Sequence, residues 1–466
     1  MTLTSGIEQQ TARSLAIVHH VPPQPPHPSI ELRRVKHPRT ESGIKDVSGV
    51  QGDEWGGTPA IGDQTQEVPP RARKWLEVQY ACLCFALFLA GWNDGTSGPL
   101  IPRIQRYYNV NLTIVSLIFI ANCVGFVTGA AANVILTYKV GFGKLMVIGP
   151  IFQAIAYSIQ APAPPFPLFV LAPILNGFGM AIQDAQANGY VASLDNHKEV
   201  RMGILHAVYG LGAFSAPLVS TQFSTMRHWS FHYLSSMGIA VTSAVLAVVV
   251  FRFQTQEECL LEIGQHTEEV EPGEHGAYHQ IFRLRAVHLM AFFILIYVGV
   301  EVTIGGWIVT YIIQVRGGGP SSGYVSSGFF GGLTFGRVAL LWVNNKIGER
   351  RAIFLYSLLV LGLEVVIWRV PSLIGNAVAV SIVGVLLGPI YPIVMNHAAR
   401  ILPNLLLTGS IGWIAGLGQA GSALIPFTTG ALAASSGIWT LHPLLIGMIG
   451  LLIVLWALVP GKRRAD

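Results

Sequence analysis

Apolar runs of about 20 residues, the length an α-helix needs to cross the hydrocarbon of a bilayer, recur along most of this chain. Twelve such spans are predicted, at 76–100, 112–136, 143–160, 167–192, 203–223, 231–251, 286–314, 323–344, 352–369, 373–398, 406–433 and 439–459. The stretch ahead of them is polar and rich in proline, with HHVPPQPPHP at 19–28, a composition that predicts disorder. The longest later break, 252–285, holds the acidic QTQEECLLEIGQHTEEVEPGEHGAYHQ and divides the spans six and six. The pattern therefore predicts an all-α membrane protein with 12 transmembrane helices in two pseudo-symmetric six-helix bundles. Its parts are a disordered cytoplasmic tail (1–74), a bundle (75–252), a cytoplasmic linker (253–285), a second bundle (286–460) and a cytoplasmic C-terminus (461–466).

Composition agrees with the pattern. Of 466 residues, 52% are hydrophobic and 11% charged, against roughly 25% charged in soluble domains. The 51 glycines and 27 prolines suit membrane helices, where both are enriched. The net charge of +5 comes from residues scattered among loops rather than from a patch, so it reads as topology and not as nucleic-acid binding. With the N-terminus inside, 24 of the 29 Lys and Arg fall on the cytoplasmic side, and Arg103, Arg106, Arg227, Arg316 and Arg369 fall outside. That asymmetry follows the positive-inside rule and puts both termini in the cytoplasm. The plasma membrane is the expected location, and Asn111 of an NLT sequon lies outside. Cys82, Cys84, Cys123 and Cys259 imply no disulfide framework, and the polar, Pro-rich start is not expected to act as a cleavable signal peptide.

The halves carry matching motifs. TYKVGFGK (137–144) follows span 2 and NNKIGERR (344–351) follows span 8; GLGAFSAP (210–217) lies in span 5 and GLGQAGSALIP (416–426) in span 11. Repeated halves of this kind describe a transporter whose substrate sits near the midplane between them. The six-plus-six plan and the loop motifs resemble the major facilitator superfamily over about residues 75–460. That resemblance assigns Lys139, Gly141 and Lys144, and Arg337, Lys346, Gly348 and Arg350, to gating loops. Tyr138 stands where the family usually places an Asp of the cytoplasmic gate.

Ionisable residues within spans are functional candidates by default. LFLAGWNDGTSGPLIPRI (87–104) sets Asn93 and Asp94 inside span 1, with Pro99 and Pro102 expected to mark its outer end. Span 4 reads NGFGMAIQDAQANGYVASL (176–194), where Asp184 and Asn188 share a helical face flanked by Gln183 and Gln186. Span 5 offers His206 and Tyr209; span 7 offers Glu301 and Trp307; spans 10 and 11 offer Tyr391, Asn396, His397, Trp413 and Gln419 but no acid. The buried carboxylates thus read as lopsided, two in the first half and one in the second. Amides, hydroxyls and indole rings suit a hydroxyl-rich solute, and intramembrane acids suit proton loading. The predicted substrate-binding set is Asn93, Asp94, Gln183, Asn188, His206, Tyr209, Glu301, Trp307, Asn396 and Gln419, with Asp184 and Asp94 coupling the proton.

The stretches WNDG…PLIP, QDAQANGYV and YVGVEVTIGGW also resemble the fucose/galactose–proton symporter family and its sugar-transporting relatives. The resemblance implies substrate binding and proton coupling at the Asn–Asp pair of span 1 and the acid four residues before an Asn on span 4. The expected function is secondary active transport of a small polar solute with a proton by a monomer, without a cofactor. Two alternatives stand beside it: a proton-antiport exporter of the same superfamily and a non-transporting nutrient receptor. An enzyme or an ATP-driven pump is not expected, because metal-spaced His/Cys clusters are lacking and the Gly-rich GGGPSSG (317–323) has no following Lys.

Overall fold

The computed structural model describes residues 70–195, 197–265 and 277–461. The expected tail up to 69, the middle of the linker and the chain beyond 461 lie outside the described residues. Helices stand at all twelve expected places. The first half comprises α1 (Pro70–Tyr108), α2 (Leu112–Val115) leading into α3 (Leu117–Val140), α4 (Phe142–Gln160), α5 (Phe166–Ala192), α6 (Lys198–Thr225) and α7 (His232–Phe251). Short helices α8 (Gln256–Glu262) and α9 (Ala277–Arg283) belong to the linker. The second half comprises α10 (Arg285–Arg316), α11 (Tyr324–Ala339) with α12 (Leu341–Ile347), and α13 (Glu349–Arg369). It continues with α14 (Leu373–Leu387), α15 (Ile390–Ile401), α16 (Asn404–Ser436) and α17 (Leu441–Leu458).

Among the described residues, ten helical stretches are long and apolar enough to cross a membrane. The two remaining places are filled by α16 and by α11–α12, where a break at Leu340 limits α11 to 16 residues. Pro389, lacking an N–H for the helical ladder, separates α14 from α15. Pro99 and Pro102 do not end the first span as expected; both lie inside α1, which runs on to Tyr108. Neighbouring helices can compensate the backbone bonds that a membrane proline removes. Large apolar side chains such as Val134, Val249, Phe335 and Ile374 lie exposed on the outside of the bundles, as lipid-facing surfaces require.

The two halves repeat each other in backbone detail. Gly141 closes α3 at φ 90°, ψ 157°, and Gly348 closes α12 at φ 86°, ψ 134°. A positive φ of this size favours glycine, which explains the residue both loop motifs share. Each loop is then fastened to the last helix of its own bundle. Gly143 N–H donates to the Gln254 carbonyl at 2.9 Å, just past α7. Trp456 Nε1 donates to the Arg350 carbonyl at 3.0 Å, and Arg350 Nη2 reaches the Ala457 carbonyl at 3.4 Å, both on α17. Glu349 pairs with Arg400 in the same corner.

The gating-loop assignment changes accordingly. Arg350 is bound within the second bundle, Lys139, Lys144 and Lys346 are exposed, and Arg337 lies on α11 itself rather than in the loop. Tyr138 is 90% exposed.

The second bundle also holds a carboxylate that the span-by-span reading missed. Glu364 of α13 and Nδ1 of His442 of α17 meet at 2.6 Å, each side chain 1% exposed, with the Tyr311 ring edge-on to the imidazole at 4.2 Å. Among the described residues the acids set well inside membrane-length helices therefore include two in each half, Asp94 and Asp184 against Glu301 and Glu364, not two against one. Glu364 sits among leucines and valines with no polar neighbour in sequence, so nothing local marked it.

Outside the bilayer, α8 is tied to the first bundle by one carboxylate. Glu262 accepts from Trp75 Nε1 at 2.8 Å, Arg252 Nη2 at 2.6 Å and Gln254 Nε2 at 2.9 Å. Burial pushes its pKa up, but these donors and the Arg252 charge outweigh it and hold the group below the usual Glu value.

Two predictions rest on these pairs. Replacing His442 alone with Leu leaves Glu364 unpaired in the interior, a loss of about 3–5 kcal/mol, whereas replacing both with Leu is close to neutral. Thermal unfolding in detergent should place the single variant well below the double; equal melting temperatures would exclude the penalty. Because the Glu262 pKa is depressed on folding, its contribution is complete above the unfolded value and lost as pH falls through the folded one. Amide protection of α8 relative to intrinsic exchange should fall as the pH drops below the usual Glu value, and Glu262→Gln should abolish that pH dependence.

Candidate functional site: a polar cavity between the bundles

The site begins with the glycines of GWNDG. A Cβ at Gly91 would land on the Tyr209 carbonyl and one at Gly95 on the Ala213 carbonyl, while a Cβ at Gly212 would land on that of Phe88. Only glycine permits α1 and α6 to approach so closely. That approach brings the Tyr209 hydroxyl to Asp94 Oδ2 at 2.6 Å. Asn93 Nδ2 donates to Asp94 Oδ1 at 3.2 Å. The Asn93 carbonyl oxygen in turn accepts from Asn176 Nδ2 at 2.6 Å and from the Tyr157 hydroxyl at 3.4 Å, and Asn176 Nδ2 also reaches Asn122 Oδ1 at 3.4 Å. Tyr157, Asn176 and Asn122 were absent from the predicted site, although their polarity inside spans was a visible signal.

Asp184 lies deeper along α5, with Asn188 one turn on. Asn188 Nδ2 donates to Asp184 Oδ1 at 3.0 Å and to its carbonyl at 2.9 Å. Asp94, Asp184 and Asn188 are half-buried although they lie well inside their helices. Glu301, midway along α10, is 9% exposed. Asp94 lies within range of the Glu301 charge and Asp184 within range of the Asp94 charge, and Tyr391 of α15 lies within range of Asp184, Glu301 and Arg337. Residues from α1, α5, α6, α10, α11 and α15 thus share one electrostatic space between the bundles.

One end of this space is sealed. At the end away from Gly141 and Gly348, Gly98 abuts the Gly305 backbone, Gly430 packs on Ser116 and Trp307, and Gly323 packs on Thr221. Gln222 donates to the Tyr324 hydroxyl across the same seam. Trp307, expected among the substrate-binding residues, lies in this seal: fully buried, it is tilted against Phe119 with centroids 6.1 Å apart and donates from Nε1 to the Pro426 carbonyl at 2.9 Å. Toward the glycine-loop end, Arg337 Nη1 contacts the His206 carbonyl at 3.4 Å, linking α11 to α6.

The other expected residues separate in the same way. Gln183 does not reach the cavity: it accepts from Gln153 Nε2 and donates to Ser243 Oγ at 3.2 Å, joining α4, α5 and α7. Gln186 ties α5 to α3 through Asn133 at 2.7 Å and Thr137 at 2.8 Å. Gln419 is half-buried on α16, and its carbonyl accepts from Cys123 Sγ of α3 at 3.6 Å, a contact between halves. His206 is half-buried, Asn396 is exposed, and His397 bonds the Pro460 carbonyl at 2.8 Å within its own bundle. Among the described residues no group of three His, Cys, Asp or Glu is placed to hold a metal ion.

Comparison with known proteins agrees with this architecture. Residues 83–426 match the family described as Major Facilitator Superfamily. Bypass of stop codon protein 6 of Saccharomyces cerevisiae is 26% identical over 411 residues, 83% of this chain and 82% of that protein. The glucose/mannose transporter of Bacillus subtilis is 20% identical over 349 residues, covering 74% of this chain and 85% of its own length. The crystal structure of the E. coli fucose:proton symporter superposes with a TM-score of 0.57 at 14% identity, over 83% of this chain and 99% of that one, a likeness of fold. With residues 83–426, more than half of its length, matched by the family model, the chain belongs to the Major Facilitator Superfamily and is a membrane transporter rather than an enzyme.

Proposed function

We propose that the protein moves a small sugar together with a proton by alternating access, binding the sugar in the cavity between Asp94 and Asp184. The single observation that carries this reading is the arrangement of those two carboxylates. Asp94 takes two side-chain donors, Tyr209 and Asn93, and Asp184 takes one, Asn188. A carboxylate held by a hydroxyl and an amide is an orienting group for sugar hydroxyls, which donate to it and accept from the amide. Of the two, Asp184 gives up fewer bonds on neutralisation and is the proposed proton carrier, with Asp94 coupled to it by charge. The name of the glucose/mannose transporter among its relatives supports the substrate class, and that of the fucose:proton symporter supports the coupling ion.

In this reading the bundles are 75–252 and 286–460, joined by 253–285. The glycine-loop end faces the cytoplasm, in accord with the Lys and Arg asymmetry. With the opposite end sealed, the described conformation is inward-facing. A monomer in the plasma membrane, with both termini cytoplasmic, completes the assignment.

Uptake into proteoliposomes of the full chain tests it. Asp184→Asn should abolish uphill accumulation driven by an imposed pH gradient while sugar exchange at equal concentrations continues; undiminished accumulation would exclude the proton role. Asp94→Ala should instead impair binding, raising the half-saturating sugar concentration by about 10- to 150-fold for the loss of hydrogen bonds to a charged group. An unchanged half-saturation value would remove Asp94 from the site.

A further inference from the structure

The seam between α6 and α11 leaves a space unfilled on its lipid-facing side. Where α6 and α14 flank α11, a groove of about 760 Å³ runs along one face of α11 from Ser327 to Val338, within the ~300–1,000 Å³ of small-ligand sites. Its floor is glycine. A Cβ at Gly331 would strike the Phe214 ring and one at Gly332 the Ser381 carbonyl. Both flanking helices therefore press onto α11, and larger side chains stand along the sides, Leu211 from α6 with Val378 and Ile382 from α14. These three, with Phe335 and Val338, are between 44% and 65% exposed, which opens the groove sideways to hydrocarbon.

Length and depth identify what fits. Ser327 to Val338 is eleven residues of helix, about 16 Å at a rise of 1.5 Å per residue. That is close to half of the ~30 Å hydrocarbon core, the reach of one leaflet's acyl chain. The groove starts one turn into α11 from Tyr324, and tyrosine is a residue of the membrane–water boundary, where the ester groups of a lipid join its chains. One polar atom of the lining is left over there. Thr334 Oγ1 donates to the Phe330 carbonyl and Ser381 Oγ to the Ala377 carbonyl, each at 2.9 Å. Ser327 is 3% exposed, and its Oγ has no hydrogen-bond partner among the described residues. A buried hydroxyl in that state is costly, and an acceptor at the head of the groove completes it.

We propose that this groove is a lipid site holding one acyl chain of a membrane phospholipid, whose ester carbonyl accepts from the Ser327 hydroxyl while its methylenes lie along α11 as far as Val338. The proposal is independent of the sugar reading. Burial of the chain against apolar walls supplies most of the affinity, and the single hydroxyl fixes how deep the chain sits. Leu211 and Phe214 belong to the first bundle and the rest of the lining to the second, so the bound chain spans the seam between the halves.

The test is photolabelling of the full chain in nanodiscs of phosphatidylcholine with a trace of phosphatidylcholine bearing a mid-chain diazirine, adducts being located by peptide mass spectrometry. Adducts should concentrate around Leu211 and Phe335, well above faces as exposed as those of Val134 and Val249. Ser327→Ala should lower groove labelling about fivefold, for the loss of one hydrogen bond. Val378→Trp, which fills the space from α14, should lower it about tenfold. Labelling at Val134 and Val249 should stay unchanged in both. Even labelling of all exposed faces in the wild type would overturn the site without recourse to any variant. Undiminished groove labelling in Val378→Trp would overturn it as well, and undiminished labelling in Ser327→Ala would overturn the ester contact. Labelling by a diazirine fatty acid but not by the phospholipid would overturn the phospholipid as occupant.

Discussion

A carboxylate within an apolar bundle persists only where donors meet it, and the bond from Tyr209 to Asp94 is the contact from which the rest of the site follows. It exists because Gly91, Gly95 and Gly212 remove every Cβ between α1 and α6, so that two helix backbones meet at a distance other residues forbid. With α1 and α6 joined in this way, α6 presents its other flank to α11. There Gly210 meets Thr334, Phe214 meets Gly331 and Thr221 meets Gly323. The glycines of span 1 and span 5 thus hold the carboxylate in place and bring the two halves together along one seam.

Polar groups in this protein fall into two populations with different consequences. Those within a bundle satisfy one another: Gln153, Gln183 and Ser243 across α4, α5 and α7; Gln186 with Asn133 and Thr137; Glu364 with His442. Hydrogen bonds of this kind tie the helices of each bundle to one another, as rocking of one half against the other requires. Those between the bundles are satisfied only in part. In the proposed function a transported solute supplies the missing partners from whichever side the space between the bundles opens.

Much of this was legible along the chain, and the rest was not for identifiable reasons. The run lengths marked all twelve helical places, and the repeat of Gly141 at Gly348 foretold two loops of the same backbone shape. Asp94, Asp184 and Asn188 stood out because charge and amide groups are costly among apolar neighbours. Gln183 misled because it is adjacent to Asp184 in sequence: one residue turns the side chain by about 100°, from the cavity toward α4 and α7. Trp307 misled because an indole suits either a sugar face or a seal, and only the approach of Phe119 and Pro426 chooses between them. Glu364 escaped because its partner, His442, is brought to it by the packing of α13 on α17.

Hydrophobic run length, glycine content and the placement of Lys and Arg are properties of single segments, so the sequence by itself determined the helices, their number, their division into halves and which spans carry acids. The partners of those acids are properties of pairs of segments distant in the chain. Only the tertiary structure decided that Asp94 bonds Tyr209 across 115 positions of sequence, that Trp307 packs against Phe119 and Pro426, and that Arg337 reaches the His206 carbonyl. A hydrogen bond depends on tenths of an ångström between helices, and that spacing is set by which side chains, or which missing side chains, lie between them.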